Sequence, residues 1–410
     1  MNIIKKRFNM QRVERHIINK NHKAWKLFDE YSLKSKNIYN LANYTQRQLF
    51  INNQPILKYV DLSKQLNKTK AFKDIGSNSA QMTLKLLCKN WKSFFVSIKD
   101  YSKHPNKYLG KPKIPKYKKK NGRYIFTLTN MQTHIKDGYL YFAFTPLKSL
   151  NNIIKTNVKG KLLQTRIIPK NNIYILEIVY EKEIEEIKED NLKYCGIDLG
   201  VDNIATLTNN LGLQPIVING KPLKSINQYY NKKKANLQSD LKKRHNKNWS
   251  NKLDKLQLKR DNKIDYYLHC ASKSIVNYCE GLNINTIIIG LNKTWKQESK
   301  LVKSANQNFI SIPYDKLIKQ IIYKANEKGI TVITTEESYT SGCSFLDNEI
   351  IGKETYDKSR RIVRGLFNCN NGQLINSDVN GSYNIIRKAV PNAFANGIEG
   401  VHLHPIRVSL

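Results

Sequence analysis

Two aspartates stand in sequence surroundings that suit a metal-binding carboxylate. Asp198 lies in the run GIDLGVDNIATL, residues 196–207, which otherwise reads as an apolar strand. A charge in a buried strand costs free energy unless it is paired or bound to a metal. Asp378 lies in NSDVNGSYNIIRKA, residues 376–389, just before apolar residues at helical spacing. Two such carboxylates can share a pair of divalent ions about 3.5–4 Å apart, which activate water and stabilise a leaving oxygen.

Each aspartate also has an ordinary structural interpretation. Asp198 could cap the end of a strand, and Asp378 could complement the dipole at the start of a helix. We favour metal binding because both contexts occur in one chain. Mg²⁺ is the expected ion, because it keeps most of its waters and takes only a few carboxylates.

The elements that must position these residues are typical of an α/β domain over residues 191–410. Helical runs are predicted at Ser225–Cys279 and Pro313–Lys328. Strands are predicted at Tyr194–Leu199, Ile204–Thr208, Ile216–Ile218, Thr286–Ile289 and Ile330–Thr334. Three successive strands, followed by alternating helices and strands, are the order of an RNase H-like fold. In that fold Asp198 lies on the first strand and Asp378 opens the last helix.

The first half of the chain combines helices with antiparallel strands. Helical spacing of apolar residues predicts helices near Lys23–Phe50 and Asn78–Tyr101. Short apolar stretches between turn residues predict strands at Tyr124–Leu128, Tyr139–Phe144, Leu162–Ile168 and Asn172–Tyr180. We expect residues 1–16 and 124–185 to form a small β-barrel into which a helical domain, residues 17–123, is inserted.

The charge of the chain indicates a polyanionic partner. It has 70 Lys and Arg against 32 Asp and Glu, for a formal net charge of +38. Such an excess repels itself in the folded state, so nucleic acid is the natural partner, although an AT-biased genome also enriches lysine.

Two basic segments are the strongest candidates for contacts with nucleic acid. Residues 99–123, here called the basic arm, contain ten Lys and Arg with interleaved tyrosines and prolines, which predicts an irregular loop. Its lysines would neutralise phosphates and its tyrosines would stack on unpaired bases, although a solvated linker is the alternative. The candidates are Lys111, Lys113, Lys116, Tyr117 and Lys118 in the arm, and Lys242, Lys243 and Arg244 in the later helical run.

Cysteine usage and hydropathy favour a cytoplasmic protein. The six cysteines are scattered singly, without a C-x-x-C pair, which is typical of a reducing compartment. No apolar run approaches the length of a membrane span, so we expect no membrane partner.

The two aspartate segments, in this order and spacing, resemble the TnpB family of transposon-encoded, RNA-guided nucleases, which are related to type V CRISPR effectors. Further phrases that resemble the family are SKNIYNLANYTQRQLF, NWKSFFVSIKDYSKHPNKYLGKPKIPKY and ESYTSGCSF. The resemblance implies a RuvC-like nuclease domain, a wedge-like barrel and a helical recognition domain. It also implies a guide RNA from the transposon end, a double-stranded DNA target beside a short flanking motif, and a two-metal Mg²⁺ site.

One departure from the family concerns the third carboxylate. The family's Glu closes the strand after the long helix, where this chain has TIIIG and therefore Gly290. Either the site is inactive, or a carboxylate from elsewhere fills the gap. Glu336 and Glu337 end the neighbouring strand, and a strand spacing of about 4.8 Å is within reach of a glutamate side chain. A solvated strand end is the alternative; we lean to Glu337, and Glu298 is a weaker candidate.

The second departure is a degenerate zinc ribbon, residues 343–372. The family has two C-x-x-C pairs there, whereas this chain keeps only Cys343 and Cys369, with Leu346 and Gly372 at the partner positions. A structural zinc site needs four ligands, so we predict no zinc. We expect Phe345, Leu346, Leu366 and Phe367 to hold the loop.

Two functions follow from the resemblance and its departures. One is an RNA-guided DNA endonuclease that uses Asp198, Asp378 and a relocated Glu336 or Glu337. The other is a nuclease-inactive, repressor-like protein that binds DNA under RNA guidance. The sequence favours the first, because an inactive site has no chemical need for either aspartate.

Overall fold

The computed structural model describes residues 8–184, 186–291, 311–363, 365–395, 397 and 400–410. The chain divides into two compact units, Asn9–Glu183 and Ile184–Leu410, which we call the N-terminal and C-terminal units. None of the described helices is long and apolar enough to cross a membrane.

The N-terminal unit contains the two long helices that apolar spacing predicts. They are α1 (Trp25–Ile51) and α4 (Ser77–Lys103), with the short α2 (Tyr59–Leu66) and α3 (Lys70–Lys73) between them. Phe28 and Ile38 of α1 pack with Leu84 and Trp91 of α4 in one core, and all four side chains are fully buried. Pro105 stands two residues beyond the end of α4, where a proline that cannot continue a helix interior is common.

The strands of the same unit form an open sheet and a separate hairpin. They are β1 (Phe8–Ile18), β2 (Phe126–Thr129), β3 (Thr133–Lys136), β4 (Tyr139–Phe142), β5 (Lys161–Lys170) and β6 (Ile173–Ile184). The sheet order is β1-β6-β5-β2, and β3 pairs with β4. The predicted closed barrel is not confirmed, because β1 and β2 are free edges in the part of the chain that the structure describes. Helices and sheet share one core, so their division into a barrel and an inserted domain stays a prediction.

The C-terminal unit is built on a six-stranded mixed sheet. Its strands are β7 (Tyr194–Asp198), β8 (Asn203–Asn209), β9 (Ile216–Asn219), β10 (Thr286–Leu291), β11 (Thr331–Glu336) and β14 (Ile406–Val408), in the order β11-β10-β7-β8-β9-β14. The meander β7-β8-β9 is antiparallel, and β10 is parallel to both β7 and β11. This is the predicted RNase H-like arrangement, and β14 adds a strand that was not predicted.

Helices cover both faces of this sheet. On one face, α6 (Asn251–Gly281) and α7 (Tyr314–Asn326) pack on apolar residues of β7 and β10. On the other face lies α8 (Ser377–Ala389), which follows the small hairpin β12 (Leu366–Asn368) and β13 (Leu374–Asn376). Since successive residues of a strand point to opposite faces, Tyr194, Gly196 and Asp198 share the face toward α8.

One helix prediction was wrong. The run predicted as Ser225–Cys279 is two helices, α5 (Lys221–His245) and α6, and Arg260 of α6 binds back to Asn227 of α5 through a 2.8 Å hydrogen bond. The break follows from local chemistry. Asn246 adopts a left-handed conformation that asparagine tolerates, and the Ser250 side chain caps α6.

Candidate active site

Asp198 is held between its own strand and helix α8. It ends β7, and the backbone N–H of Leu199 acts on its carboxylate to lower the pKa, against the larger causes that raise it. Gly381 of α8 lies directly opposite: a Cβ atom there would stand 3.0 Å from Asp198 Oδ2. The absence of a side chain at Gly381 therefore lets the helix that carries Asp378 approach this carboxylate.

Asp378 is positioned by the start of α8. The Asn376 side chain caps the helix, accepting hydrogen bonds from the backbone N–H groups of Asp378 (3.0 Å) and Val379 (3.2 Å). The Asn203 side-chain amide at the start of β8 donates to Asp378 Oδ2 at 2.8 Å. This contact links Asp378 to the turn that follows Asp198, so the two predicted aspartates lie at the same edge of the sheet.

The structure separates the two glutamates that the sequence left open. A Cβ atom at Gly290 would stand 3.2 Å from Glu337 Oε2 and 2.5 Å from Ile385 Cδ1, so the Glu337 carboxylate lies beside this glycine. Glu336 is exposed and accepts hydrogen bonds from Ser338 and, at 3.1 Å, from Lys388.

The Glu336 carboxylate is thus hydrogen-bonded to Ser338 and Lys388. Its hydrogen bond with Ser338 is the first cause that lowers its carboxyl pKa, followed by the contact with Lys388. The weaker candidate, Glu298, lies outside the described residues.

Three carboxylates act on one another at this edge. The pKa of Asp198 is raised well above its usual value, first by burial of the carboxyl group and then by the negative charges of Asp378 and Glu337. Arg361 opposes this shift. Tyr314, the first residue of α7, lies in the same environment, donates to the Gly200 carbonyl at 2.8 Å and has a raised hydroxyl pKa through burial and the Asp198 charge. Like charges held this close favour a bound cation.

The donor set suits magnesium, although its present spacing does not form a single-ion site. Among the described residues, no three His, Cys, Asp or Glu side chains surround one point as the ligands of a single metal would. In a two-metal site each ion needs only one or two protein carboxylates and completes its shell with water. Hard carboxylate oxygens from Asp198, Asp378 and Glu337 fit that chemistry.

A basic cleft of about 910 Å³ opens beside Asp378. Its lining includes four cations, Lys221, Lys224, Arg361 and Arg407, together with Asp202 and Asn203. Lys224 is paired with Asp202 at 2.5 Å, whereas Arg361 is exposed. A phosphodiester backbone fits such a surface, because cations neutralise its phosphates next to the carboxylates. Arg361 was not among the predicted site residues, and its local signal is the arginine-rich run SRRIVR.

The basic arm is irregular beyond its first residues, as the sequence predicts, and its backbone is tied to α1. Asn40 binds both the N–H (2.8 Å) and the carbonyl (2.9 Å) of Lys118. The Lys118 ammonium lies over Tyr39 and Tyr124, 4.9 and 5.0 Å from the ring centroids. Lys118 therefore has a structural role in addition to any contact with nucleic acid.

The other predicted residues of the arm face solvent. Lys111, Lys113 and Lys116 are exposed. Tyr117 is 44% exposed and has the Arg47 guanidinium 4.8 Å from its ring centroid. These four side chains are accessible for binding.

The second basic cluster forms the last turn of α5. Lys242, Lys243 and Arg244 are all exposed there. Cations at a helix C-terminus interact favourably with the helix dipole, so these residues stabilise the end of α5 in addition to the predicted binding.

The segment predicted as a degenerate ribbon has an apolar centre. Phe345, Phe367 and Cys369 are buried with residues of α8, and Leu346 packs against them. Phe345 stacks on Tyr383 with ring centroids 4.5 Å apart. Three of the four residues expected to hold the loop therefore lie in this core, and the expected absence of zinc stays a prediction.

Two family models match the C-terminal part of the chain. The model OrfB_IS605, described as a probable transposase, matches residues 177–296. The model of the Cas12f1-like TNB domain matches residues 314–385. Together they span the strands and helices that carry Asp198, Glu337 and Asp378.

Two curated proteins are similar in sequence. The CRISPR-associated endodeoxyribonuclease Cas12f2 of a Micrarchaeota archaeon is 30% identical over 280 residues, which cover 63% of this chain and 47% of that protein. The chain thus spans about half the length of this relative. The TnpB-like protein ORF457 of Acidianus two-tailed virus is 26% identical over 397 residues, which cover 87% of this chain and 82% of that protein.

A solved structure shares the fold. The cryo-EM structure of a Cas12f1–sgRNA–target DNA complex superposes with a TM-score of 0.55 at 14% identity, covering 88% of this chain and 82% of that chain. The resemblance to the TnpB family is confirmed by these matches, and the chain is a relative of the TnpB-like and Cas12f proteins.

Proposed function

We propose that this protein is an RNA-guided DNA endonuclease with one RuvC-like active site. The observation that carries the proposal is the meeting of Asp198, Asp378 and Glu337 at one edge of the sheet, beside a basic cleft. The activity in the printed name of the Cas12f2 relative, an endodeoxyribonuclease, supports the same reaction.

In this proposal the three carboxylates hold two Mg²⁺ ions. The ions would activate the attacking water and stabilise the leaving oxygen of a phosphodiester. Glu337 takes the place of a carboxylate at Gly290, where Ile385 and Glu337 leave no room for a longer side chain. Asn203 orients Asp378 through its 2.8 Å hydrogen bond. Arg361, Lys221 and Arg407 neutralise the phosphates of the strand in the cleft.

The partners in this proposal are a guide RNA from the transposon end and double-stranded DNA with a short flanking motif. Residues 17–123, with the basic arm, would serve as the recognition domain, and residues 1–16 with 124–185 as the wedge-like domain. The net charge of +38 and the exposed lysines of the arm and of α5 support a partner with many phosphates. Base pairing with the guide would supply sequence specificity, while the protein reads backbone shape.

A cleavage assay tests the proposal. The chain is co-expressed with RNA from the flank of its own gene, and the complex is offered guide-matched DNA beside a randomised flank. We expect Mg²⁺-dependent cuts that Asp378→Asn abolishes. Guide-dependent binding without cuts would instead show the repressor-like protein, and no guide-dependent binding would refute RNA guidance altogether.

A further inference from the structure

A largely covered ion-pair cluster links parts of the segment between β11 and α8. Arg360 donates to Glu349 Oε1 at 2.6 Å through Nη1 and to Asp347 Oδ2 at 2.8 Å through Nη2. Only 14% of the Arg360 side chain is exposed, and the two carboxylates are similarly covered. Hydrogen bonds between ionised partners are among the strongest in proteins, and the planar guanidinium fixes their direction.

Both carboxylates also bind other parts of the segment. Asp347 Oδ2 accepts from the backbone N–H of Asn370 at 2.8 Å. Glu349 accepts from the Asn370 side chain at 3.1 Å and from the Ser344 backbone N–H at 2.6 Å. The cluster therefore joins the loop before Arg360 to the loop after it.

Arg360 is fixed through its backbone as well as its side chain. Its Nε donates to the Asn368 carbonyl at 3.0 Å, and its own carbonyl accepts from the Asn368 N–H at 2.9 Å. The next residue, Arg361, is exposed in the basic cleft, and its charge acts on Asp198. Because hydrogen bonds hold both the backbone and the side chain of Arg360, the position of the adjacent Arg361 is restricted as well.

The same segment contacts the helix that carries Asp378. The Gly365 carbonyl accepts from the Ser377 N–H at 3.0 Å, at the first turn of α8. The Arg387 guanidinium near the other end of α8 donates to the Glu349 carbonyl at 2.5 Å and to the Asn348 side chain at 2.8 Å. The ion-pair cluster and the start of α8 thus belong to one hydrogen-bonded assembly.

We propose that Arg360 is a positioning residue. By binding Asp347 and Glu349, it holds Arg361 in the cleft beside Asp378, where Arg361 contacts the phosphate backbone of the nucleic acid. The proposal rests on the proposed nuclease function, because Arg361 needs a phosphate to act on. Among the described residues, the Arg360 side chain donates to Asp347, Glu349 and Asn368, and Arg360 is not one of those that line the cleft.

A purely structural clamp is the competing explanation. It would stabilise the segment without any particular relation to Arg361, and its loss would add to the loss of Arg361. A positioning residue behaves differently, because once Arg361 is removed there is little left for Arg360 to position. Non-additivity of two substitutions in a double-mutant cycle measures this coupling.

The experiment compares Arg360→Lys, Arg361→Ala and the double variant in the RNA-loaded complex. Lysine keeps the charge but cannot span two carboxylates as a fork. We expect Arg360→Lys to slow cleavage of bound DNA by at least about tenfold, while the Kd for DNA changes by less than about threefold. This pattern is expected when the lost interaction contributes to the cleavage step and not to binding. The double variant should cleave no more slowly than the slower single variant. Lys353→Ala, an exposed lysine of the same segment, is the matched control and should cleave like the unmodified chain.

Additive effects in the double variant, or an unchanged cleavage rate in Arg360→Lys, would overturn the proposal. A second readout does not depend on cleavage. Hydrogen exchange of residues 358–363 should speed up in Arg360→Lys while β7 and β10 stay protected. If the unmodified complex does not cut DNA, the nuclease proposal fails, whereas unchanged exchange at these residues means that Arg360 does not position Arg361.

Discussion

Charged residues are arranged in opposite ways in two regions of the molecule. One is the sheet edge in the C-terminal unit that carries Asp198, Asp378 and Glu337, and the other is the basic arm in the N-terminal unit. At the edge, a few like charges converge from β7, the end of β11 and α8, and the charges of Asp378 and Glu337 raise the pKa of Asp198. In the arm, many cations follow one another along the chain, and most of them face solvent. We expect each of the convergent, partly buried carboxylates to matter individually, and each of the dispersed, exposed cations of the arm to be replaceable. Substitutions should therefore have large single effects at the edge and small, cumulative effects in the arm.

The largest effect is expected for Asp198→Asn. Removing one carboxylate of a two-metal site should slow Mg²⁺-dependent cleavage on the order of 10³-fold. The control is Asp202→Asn, since Asp202 lines the same cleft but is paired with Lys224. A loss from Asp202→Asn as large as that from Asp198→Asn would contradict the assignment.

Asp198→Asn should also raise the melting temperature of the metal-free protein at neutral pH. The folded-state pKa of Asp198 lies above its unfolded value of about 3.9, so its ionisation opposes folding as pH rises past that value. The gain from asparagine should disappear at pH values below about 3.9, where the unfolded carboxyl is protonated too. A melting curve measured over pH in a chelator checks the sign.

Glu337→Gln should slow cleavage on the order of 10²-fold, because a neutral amide is a poorer metal ligand than a carboxylate. Glu336→Gln is the matched control: the side chain is exposed and bound to Ser338 and Lys388, so its rate should change little. The single-turnover cleavage rates of the two variants show whether Glu336 or Glu337 supports cleavage. A greater loss from Glu336→Gln would show that the carboxylate next to Gly290 is not the functional one.

Gly290→Ala should destabilise the C-terminal unit by about 1–3 kcal/mol through overpacking. The added Cβ would meet Ile385 at 2.5 Å, and the core around it has little freedom to move. Gly281→Ala is the control, since no atom of the described residues, apart from its chain neighbours and the nearby backbone of α6, lies within 4 Å of the Cβ that it would add. Chemical denaturation measures both, and equal stability of the two variants would exclude tight packing at Gly290.

The smallest single effects are expected in the basic arm. Replacing Lys111, Lys113 and Lys116 together by alanine should reduce the slope of log affinity against log salt by about 2–3, while each single change should cost only a few-fold in affinity. Lys118→Ala should instead lower stability, because its ammonium lies over Tyr39 and Tyr124. Salt titrations of nucleic-acid binding test the triple and single variants, and thermal unfolding tests Lys118→Ala. An unchanged slope in the triple variant would exclude the arm from the interface.

Local patterns predicted most of the fold. Helices α1 and α4 and the strands β7, β8 and β10 lie within a few residues of their predicted bounds, because apolar spacing reports burial directly. The break between α5 and α6 was missed, although Asn246 and Ser250 carry ordinary signals for ending and starting a helix. The barrel is not confirmed, because alternating strands show that a sheet forms but not whether its edges meet.

The sequence by itself indicated which residues could carry out chemistry and which basic segments could bind a polyanion. Asp198 in an apolar strand, Asp378 before the last helix and the excess of lysine are visible without any structure. Only the tertiary structure shows that Glu337 is the glutamate beside Gly290. Successive residues of an extended chain point in opposite directions, so Glu336 and Glu337 face different ways, and composition does not say which faces inward. That choice depends on the register of β11 against β10 and on the space beside Gly290. Arg361 stands in an arginine-rich run of the sequence, but only the folding of its segment brings it into the cleft beside Asp378.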